Sequence, residues 1–387
     1  MAFVKKKLDS LEVGCGTLKK VDNAQVEFAL FRGCLSYNKI NHLLRTCPPD
    51  LLQDALVEFD DHFQNMVAAI LRVPCLTEDQ WDQASLPVKL AGLGVNQTKV
   101  TAASAYVGSC TLTKSLVAAI LGVDADKFEP SGVPALLAAH EMVTGKVHTL
   151  SALCDEKSVQ QKLSTERHTA LFDALKARSS ARAHNLFLAC TMPHASDWLL
   201  APPVPGLGLG MQSDVFRTAL KFRLRVPLFD APFPCPTRSN EGKACNAEMD
   251  VFGDHAACCH HGPSLLFRHN NVRDILGHAA RGAGLTAVVL EKKNQIAGSR
   301  AKPGDITVQQ YHRGFASSAF DITVTHPLQK KFLEIATGVH GGTGRSRREA
   351  VEVSGGVQEG GHSLRTVGLG IDWRRDRHGA RDDSQVD

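Results

Sequence analysis

Between Cys235 and Lys331 the chain concentrates most of its polar chemistry, and that stretch limits what it can fold into more than any other. Its first 27 residues, 235–261, hold four thiols (Cys235, Cys245, Cys258, Cys259) and three imidazoles (His255, His260, His261); a basic helical run follows, then three apolar segments that each carry one acid. Thiolates and imidazoles grouped so closely suit the closing of a tetrahedron around zinc. Cys235, Cys245, His255 and either Cys258 or Cys259 supply the set, and one Zn2+ per chain is expected. The gap from Cys235 to Cys245 is wider than a tight CxxC turn, and His260 and His261 add further candidates. Gly253-Asp254-His255 forms a turn that presents the imidazole, with the Asp254 carboxylate available behind it.

The segment LLFRHNNVRDILGHAARGAGL has the 3.6-residue period of a helix. Phe267, Val272, Ile275, Leu276 and Ala279 are expected to face inward, and Arg268, His269, Arg273 and Arg281 outward, with Gly282 and Gly284 as the stop. TAVVLEKKN is a β-branched run ending at Glu291. GDITV and FDITVTHPL are two more strands, with Asp305 and Asp321 at their entries. Pairing them as neighbours brings both aspartates to one sheet edge, with Glu291 supplied by the preceding segment. Carboxylates grouped in this way repel one another, and a hard cation such as Mg2+ relieves the repulsion.

Upstream the pattern is helical. Apolar residues recur at helical spacing from Val26 to Thr46 until Pro48-Pro49, and again along Leu52, Leu56, Phe59, Phe63, Met66, Val67 and Ile70. The Asp60-Asp61 pair falls inside that second helix and reads as a solvated helix face, not as the hairpin aspartates of a polymerase. The helical pattern continues to about residue 200 without recognisable chemistry, and APPVPGLGLG then makes a linker. Ser213-Asp214 caps a short helix carrying Arg217, Lys221, Arg223 and Arg225. Its basic side reads as a solvated face or as a phosphate-contacting one.

A formal net charge of +4 permits a nucleic-acid partner without requiring one. Eleven cysteines, seven of them scattered among apolar neighbours, point to reduced thiols and an intracellular protein. Apolar runs such as SLVAAILGV are too short to span a bilayer, so a soluble protein without a membrane partner is expected. Beyond Ala336 the chain turns Gly- and Arg-rich with few apolar anchors, the composition of a disordered tail. The expected organisation is mixed. A mainly α N-terminal region covers residues 1–200, a basic helix and zinc knuckle 211–262, an α/β domain 263–336 and a tail 337–387.

Two resemblances add to this reading. LLRTCPP, the helix with Phe59-Asp60, LPVKLAGLGV and SAYVGS, in that order, resemble the helical region downstream of the catalytic core in retrotransposon reverse transcriptases. From Cys235 to Phe332 the order of Cys245, MDVFGDHAACC, RHNNVRD, Glu291, KPGDI and FDITVTHPLQ resembles the C-terminal module of non-long-terminal-repeat retrotransposon proteins. That module joins a Cys-Cys-His-Cys knuckle to a restriction-endonuclease-like domain of the PD-(D/E)xK type. By position, the resemblance implies Cys235, Cys245, His255 and Cys258 as zinc ligands. It also implies Asp305 and Asp321 as Mg2+-binding catalytic acids, with Glu291 in the acidic position before the hairpin.

The expected partner is DNA, or the element's own RNA, contacted through Arg217, Lys221, Arg223, Arg268 and Arg273. An element protein of this kind works in the nucleus. The sequence departs from the family in three respects. Gly304 separates the proline from Asp305, Thr323 stands where many such nucleases have lysine, and the polymerase core is missing. Lys330, Lys302 or Lys331 would then have to supply the catalytic cation. The lost continuation after Ala336 suggests a truncated or frame-shifted copy.

Overall fold

A computed structural model of the chain describes residues 2–124, 132–144, 149–239, 241–261, 264–285, 287–291, 304–309, 317–324, 326–329, 333, 352–359 and 363–369. It separates into two compact units. The first comprises Met1–Pro232 and Asp250–Gly253, the second Phe233–Met249 and Asp254–Asp387. The architecture is mixed and mainly α, with small antiparallel sheets.

The first unit is helical. Its elements are α1 (Ala2–Leu18), α2 (Ala24–Leu30), α3 (Tyr37–Thr46), α4 (Gln53–Leu71), α5 (Glu78–Ser85), α6 (Thr98–Leu112) and α7 (Lys114–Leu121). They continue with α8 (Pro134–Thr144), α9 (Leu150–Cys154), α10 (Val159–Arg178), α11 (Ala181–Cys190), α12 (Asp197–Leu200) and α13 (Ser213–Arg223). The expected stripe of α4 is buried from Leu56 through Ile70 and lies at the centre of the main core. No single helix among the described residues is long and apolar enough to cross a membrane, although α6 and α7, bent by 54°, reach that length together.

Two sequence expectations fail in this unit because the partners lie far away along the chain. Asp60 does not belong to a solvated face. It is 4% exposed, and its carboxylate accepts hydrogen bonds from the backbone N–H groups of Thr98 (2.6 Å) and Lys99 (3.2 Å), so α4 caps the start of α6. Burial pushes the Asp60 carboxyl above the usual range against the pull of these amides. Asp61 beside it is exposed, as expected.

The basic side of α13 is likewise not a free surface. Arg217 is buried and donates from Nε to the Ile70 carbonyl at 2.9 Å, taking a carbonyl left open in the last turn of α4. Arg223 is 4% exposed and donates to the carbonyls of Gly92 and Val88 and to Ser196 Oγ. These two arginines act as internal clamps, and neither is placed to contact phosphate. Lys221 is half-buried. The helix also starts within the expected cap, at Ser213 with Gln212 as N-cap, and Ser213 Oγ instead accepts the Ala24 N–H.

In the second unit, β1 (Phe233–Pro234) pairs with β2 (Glu248–Met249), α14 (Asp254–Cys258) follows, and then comes α15 (Ser264–Gly282). An antiparallel sheet of order β3-β4-β5-β6-β7 completes it: Val288–Leu290, Ile306–Gln309, Ser317–Thr323, Glu352–Glu359 and Ser363–Leu369. Thus α13 belongs to the first unit and the cysteines to the second, which divides the expected 211–262 segment. The last two strands also correct the disordered tail, since their backbone extends the sheet beyond β5.

α15 packs Val272, Leu276 and Ala280 against Val288, Ile306, Val308, Phe320 and Ile322. Its inward face is therefore turned from the expected one, leaving Phe267 and Ile275 exposed at 65% and 67% and Ala279 exposed as well. Gly277 lies on this inward face, where a Cβ would come within 2.9 Å of the end of the Leu290 side chain. The helix ends as expected, with Gly284 at φ +88° and Leu285 donating back to the Ala280 carbonyl.

Candidate metal centre and acidic row

The wide Cys235–Cys245 spacing is bridged by a hairpin. Phe233 pairs with Met249 and Arg238 with Ala244, while Gly242 at φ +81° turns the chain with its N–H on the Ser239 carbonyl. Cys235 N–H donates to the Ala247 carbonyl and Cys245 N–H to the Thr237 carbonyl, which places the two thiols on one side of the hairpin. α14 then brings His255, and Cys259 lies four residues on, one helical turn from it.

The ligand atoms of Cys235, Cys245, His255 and Cys259 all lie within 4.8 Å of one another. Cys235 Sγ is 3.9 Å from Cys259 Sγ, Cys259 Sγ is 3.8 Å from Cys245 Sγ, and Cys245 Sγ is 3.4 Å from His255 Nε2. Zn–S bonds of about 2.3 Å and Zn–N bonds of about 2.0 Å in a tetrahedron give S–S edges near ~3.8 Å and S–N edges near ~3.5 Å. The three edges given above match, and this donor set fits a zinc ion.

Of the two adjacent cysteines, Cys259 joins the group. Cys258, the ligand implied by the resemblance, sits one position earlier on the turn and meets His326 Nδ1 at 3.6 Å. The thiols also carry unequal charge. Burial raises Cys235, but contacts with Thr237, His255 and Cys259 outweigh it and hold the thiol at about 7. Cys259 is pushed up by burial and by its two sulfur neighbours. Asp254 is 3% exposed at the start of α14, and His260 and His261 are not part of the group.

The acidic residues meet at one end of the sheet. β4 and β5 pair Ile306 with Phe320, and the next step outward sets Asp305 opposite Asp321, with Asp305 N–H on the Phe320 carbonyl at 2.8 Å. On the other side Leu290 pairs with Ile306, and Glu291 N–H donates to the Asp305 carbonyl at 2.9 Å. Glu291, Asp305 and Asp321 thus form a row across three strands.

α15 lies beside this row. His269 Nε2 is 3.3 Å from Asp305 Oδ1, while Asp305 Oδ2 accepts the Ile322 N–H at 2.8 Å. Arg273, one turn further on, is ion-paired with Glu291 and Asp274 and donates to Asn270. Arg268 donates to the Ala257 carbonyl of α14. The two expected phosphate contacts on this helix are therefore engaged within the unit. Partial desolvation and the charge of Asp305 push the Asp321 carboxyl up. Lys330, together with Lys302 and Lys331, lies outside the described residues.

His269 was legible only as an outward residue of the helix. Its approach to Asp305 depends on the pairing of β4 with β5, which sequence spacing does not report. No protein-family model matches this chain, and comparison with curated proteins gives no match either.

Proposed function

We propose that the chain is a retrotransposon-derived nucleic-acid-binding protein whose second unit, held by Zn2+ at Cys235, Cys245, His255 and Cys259, hydrolyses DNA phosphodiesters with Mg2+. The carrying observation is the row Glu291–Asp305–Asp321 across adjacent strands. The upward push on Asp321 from Asp305 is the repulsion that a divalent cation relieves. Asp305 and Asp321 would hold Mg2+, which when bound lowers the pKa of coordinated water and offsets charge on the reacting phosphate.

The protein's own groups orient that site. His269 and the Ile322 N–H fix the two oxygens of Asp305, and Arg273 fixes Glu291. The same contacts favour a second reading, a non-catalytic binding remnant, because they occupy the acids with internal partners.

Nicking of supercoiled DNA with and without Mg2+, by wild type, Asp305→Ala and Asp321→Ala, separates the two. Mg2+-dependent nicking lost in both variants supports hydrolysis. Absence of nicking in all three leaves binding, to be read from the salt dependence of DNA affinity. Neither nicking nor salt-dependent affinity sinks both readings.

A further inference from the structure

Helix α7 is almost wholly apolar, yet of its sequence KSLVAAIL only Ala118 is buried. Leu116, Ile120 and Leu121 are each at least 60% exposed, as is Leu112 at the end of α6, and Val117 and Val123 are exposed with them. Both ends of the helix are closed. Thr113 Oγ1 donates back to the Ser109 carbonyl, Gly122 ends the helix at φ +69°, and Val123 N–H donates to the Ala118 carbonyl. A helix of this length is marginal in water on its own, and one buried alanine adds little to it. Its outward side is therefore suited to a second surface.

Area and charge say which surface. At roughly 150 Å2 for each whole residue, the lower end for aromatic ones, the six exposures amount to roughly 500 Å2. That is toward the upper end of the apolar patches on soluble monomers, about 300–600 Å2. A standard interface buries about 800 Å2 on each partner, of which about 56–65% is apolar, so the patch supplies the apolar share of one interface. No charged residue lies between Lys114 and Asp124, and depletion of charge with a high apolar share is the composition of contacts between like chains. A lipid surface fits less well, because a helix lying on it carries a basic polar face and α7 has Lys114 alone. α6 and α7 reach membrane length only together, and α6 is fixed by Ala102 and Ala105 in one core and by Ala103, Tyr106 and Val107 in another.

The order of residues suits self-pairing. Leu116 and Ile120 stand two positions either side of Ala118 and about 160° around the helix from it, so both point away from the body. A contact between identical chains about a two-fold axis requires that residue i meet residue j and j meet i. Antiparallel pairing centred on Ala118 meets that condition: Leu116 lies against Ile120 of the second copy, and Val117 lies against the small Ala119.

We infer that α7 is the contact of a homodimer, packed antiparallel on α7 of a second copy of this chain. The inference does not rest on the reading of the second unit.

Sedimentation velocity of the full chain across the micromolar range tests it. A concentration-dependent dimer is expected. Leu116→Asp and Ile120→Lys should each weaken it at least tenfold while leaving Tm unchanged under monomeric conditions, since both side chains are exposed. Ile275→Asp, on the exposed side of α15, should leave the dimer intact. Mixing Leu116→Asp with Ile120→Lys should restore association, because antiparallel pairing sets the new carboxylate against the new ammonium and keeps Leu116 against Ile120 at the other contact. A mixture that stays monomeric refutes the antiparallel pairing. A wild type monomeric throughout overturns the inference, and its flotation with vesicles of equimolar phosphatidylcholine and phosphatidylserine would then assign the patch to lipid. A dimer unchanged in both α7 variants, or lost only in Ile275→Asp, overturns it as well.

Discussion

Replacing Cys259 with serine should remove zinc from the protein, whereas replacing Cys258 should not. The two residues are adjacent, but Cys259 Sγ lies 3.9 and 3.8 Å from the sulfurs of Cys235 and Cys245, and Cys258 Sγ faces His326. Losing a partner that only orients a zinc ligand costs about 10- to 100-fold in affinity, so losing a thiolate ligand itself should cost more than ~100-fold. That factor corresponds to about 2.7 kcal/mol of metal-linked stability at saturating zinc. Cys258→Ser loses only a 3.6 Å thiol–imidazole contact, which a serine hydroxyl can partly replace, and the cost should stay near ~1 kcal/mol. The assay is zinc content after dialysis against a competing chelator, followed by thermal unfolding of the zinc-loaded and chelated forms. Wild type and Cys258→Ser should retain one zinc each and unfold at lower temperature once chelated, and Cys259→Ser should retain none. Retention by Cys259→Ser with loss from Cys258→Ser would refute the assignment, and a metal-free wild type would refute the centre.

Four further substitutions test the first unit. Because the folded-state pKa of Asp60 is raised, its stabilising contribution is fully present below the ordinary aspartate range and is lost as pH rises through the folded value. Asp60→Asn lacks that slope, so the Tm advantage of wild type over the variant should grow as pH falls through that window; a constant difference contradicts the burial argument. Gly92→Ala should destabilise by more than ~3 kcal/mol or prevent folding, since its Cβ would sit 1.9 Å from the Leu86 carbonyl oxygen. Gly16→Ala, in α1 with nothing within 4 Å, should stabilise by about 0.5–1 kcal/mol in chemical denaturation, and a reversed order of the two would count against the packing. Arg223→Met should cost roughly 2–4 kcal/mol in the same assay, because it leaves buried acceptors at Gly92 and Ser196 unpaired. The salt dependence of DNA affinity should be unchanged in that variant, and a reduced salt slope would restore Arg223 as a phosphate contact.

What could be read from the sequence depended on how local its cause was. The stripe of α4 and the apolar runs of β4 and β5 are set by residues close along the chain, and all three elements appear where the pattern places them. Asp60, Arg217 and Arg223 have causes elsewhere, in the Thr98 amide, the Ile70 carbonyl and the Gly92 carbonyl. A charged residue on an amphipathic helix looks solvated unless that distant backbone group is known. β6 and β7 were hidden differently, because SGGV and its surroundings carry too few apolar anchors to show a strand period. Cys258 and Cys259 could not be separated by spacing alone. The turn of α14 decides between them, since His255 and Cys259 share one side of it.

That same turn joins the metal centre to the acidic row within the second unit. Ala257 of α14 accepts the Arg268 guanidinium, and the next residue on α15, His269, reaches Asp305. Cys258 meets His326, which follows β5 and hence Asp321 in the chain. Two short paths therefore run from the element carrying His255 to the two strands carrying the aspartates. Where metal binding is coupled to folding, the binding energy of a closed zinc site is folding energy for whatever that site holds in place. Here a metal bound at Cys235, Cys245, His255 and Cys259 would fix α14 and, through the Ala257 carbonyl, the helix that sets His269 and Arg273 beside the acids.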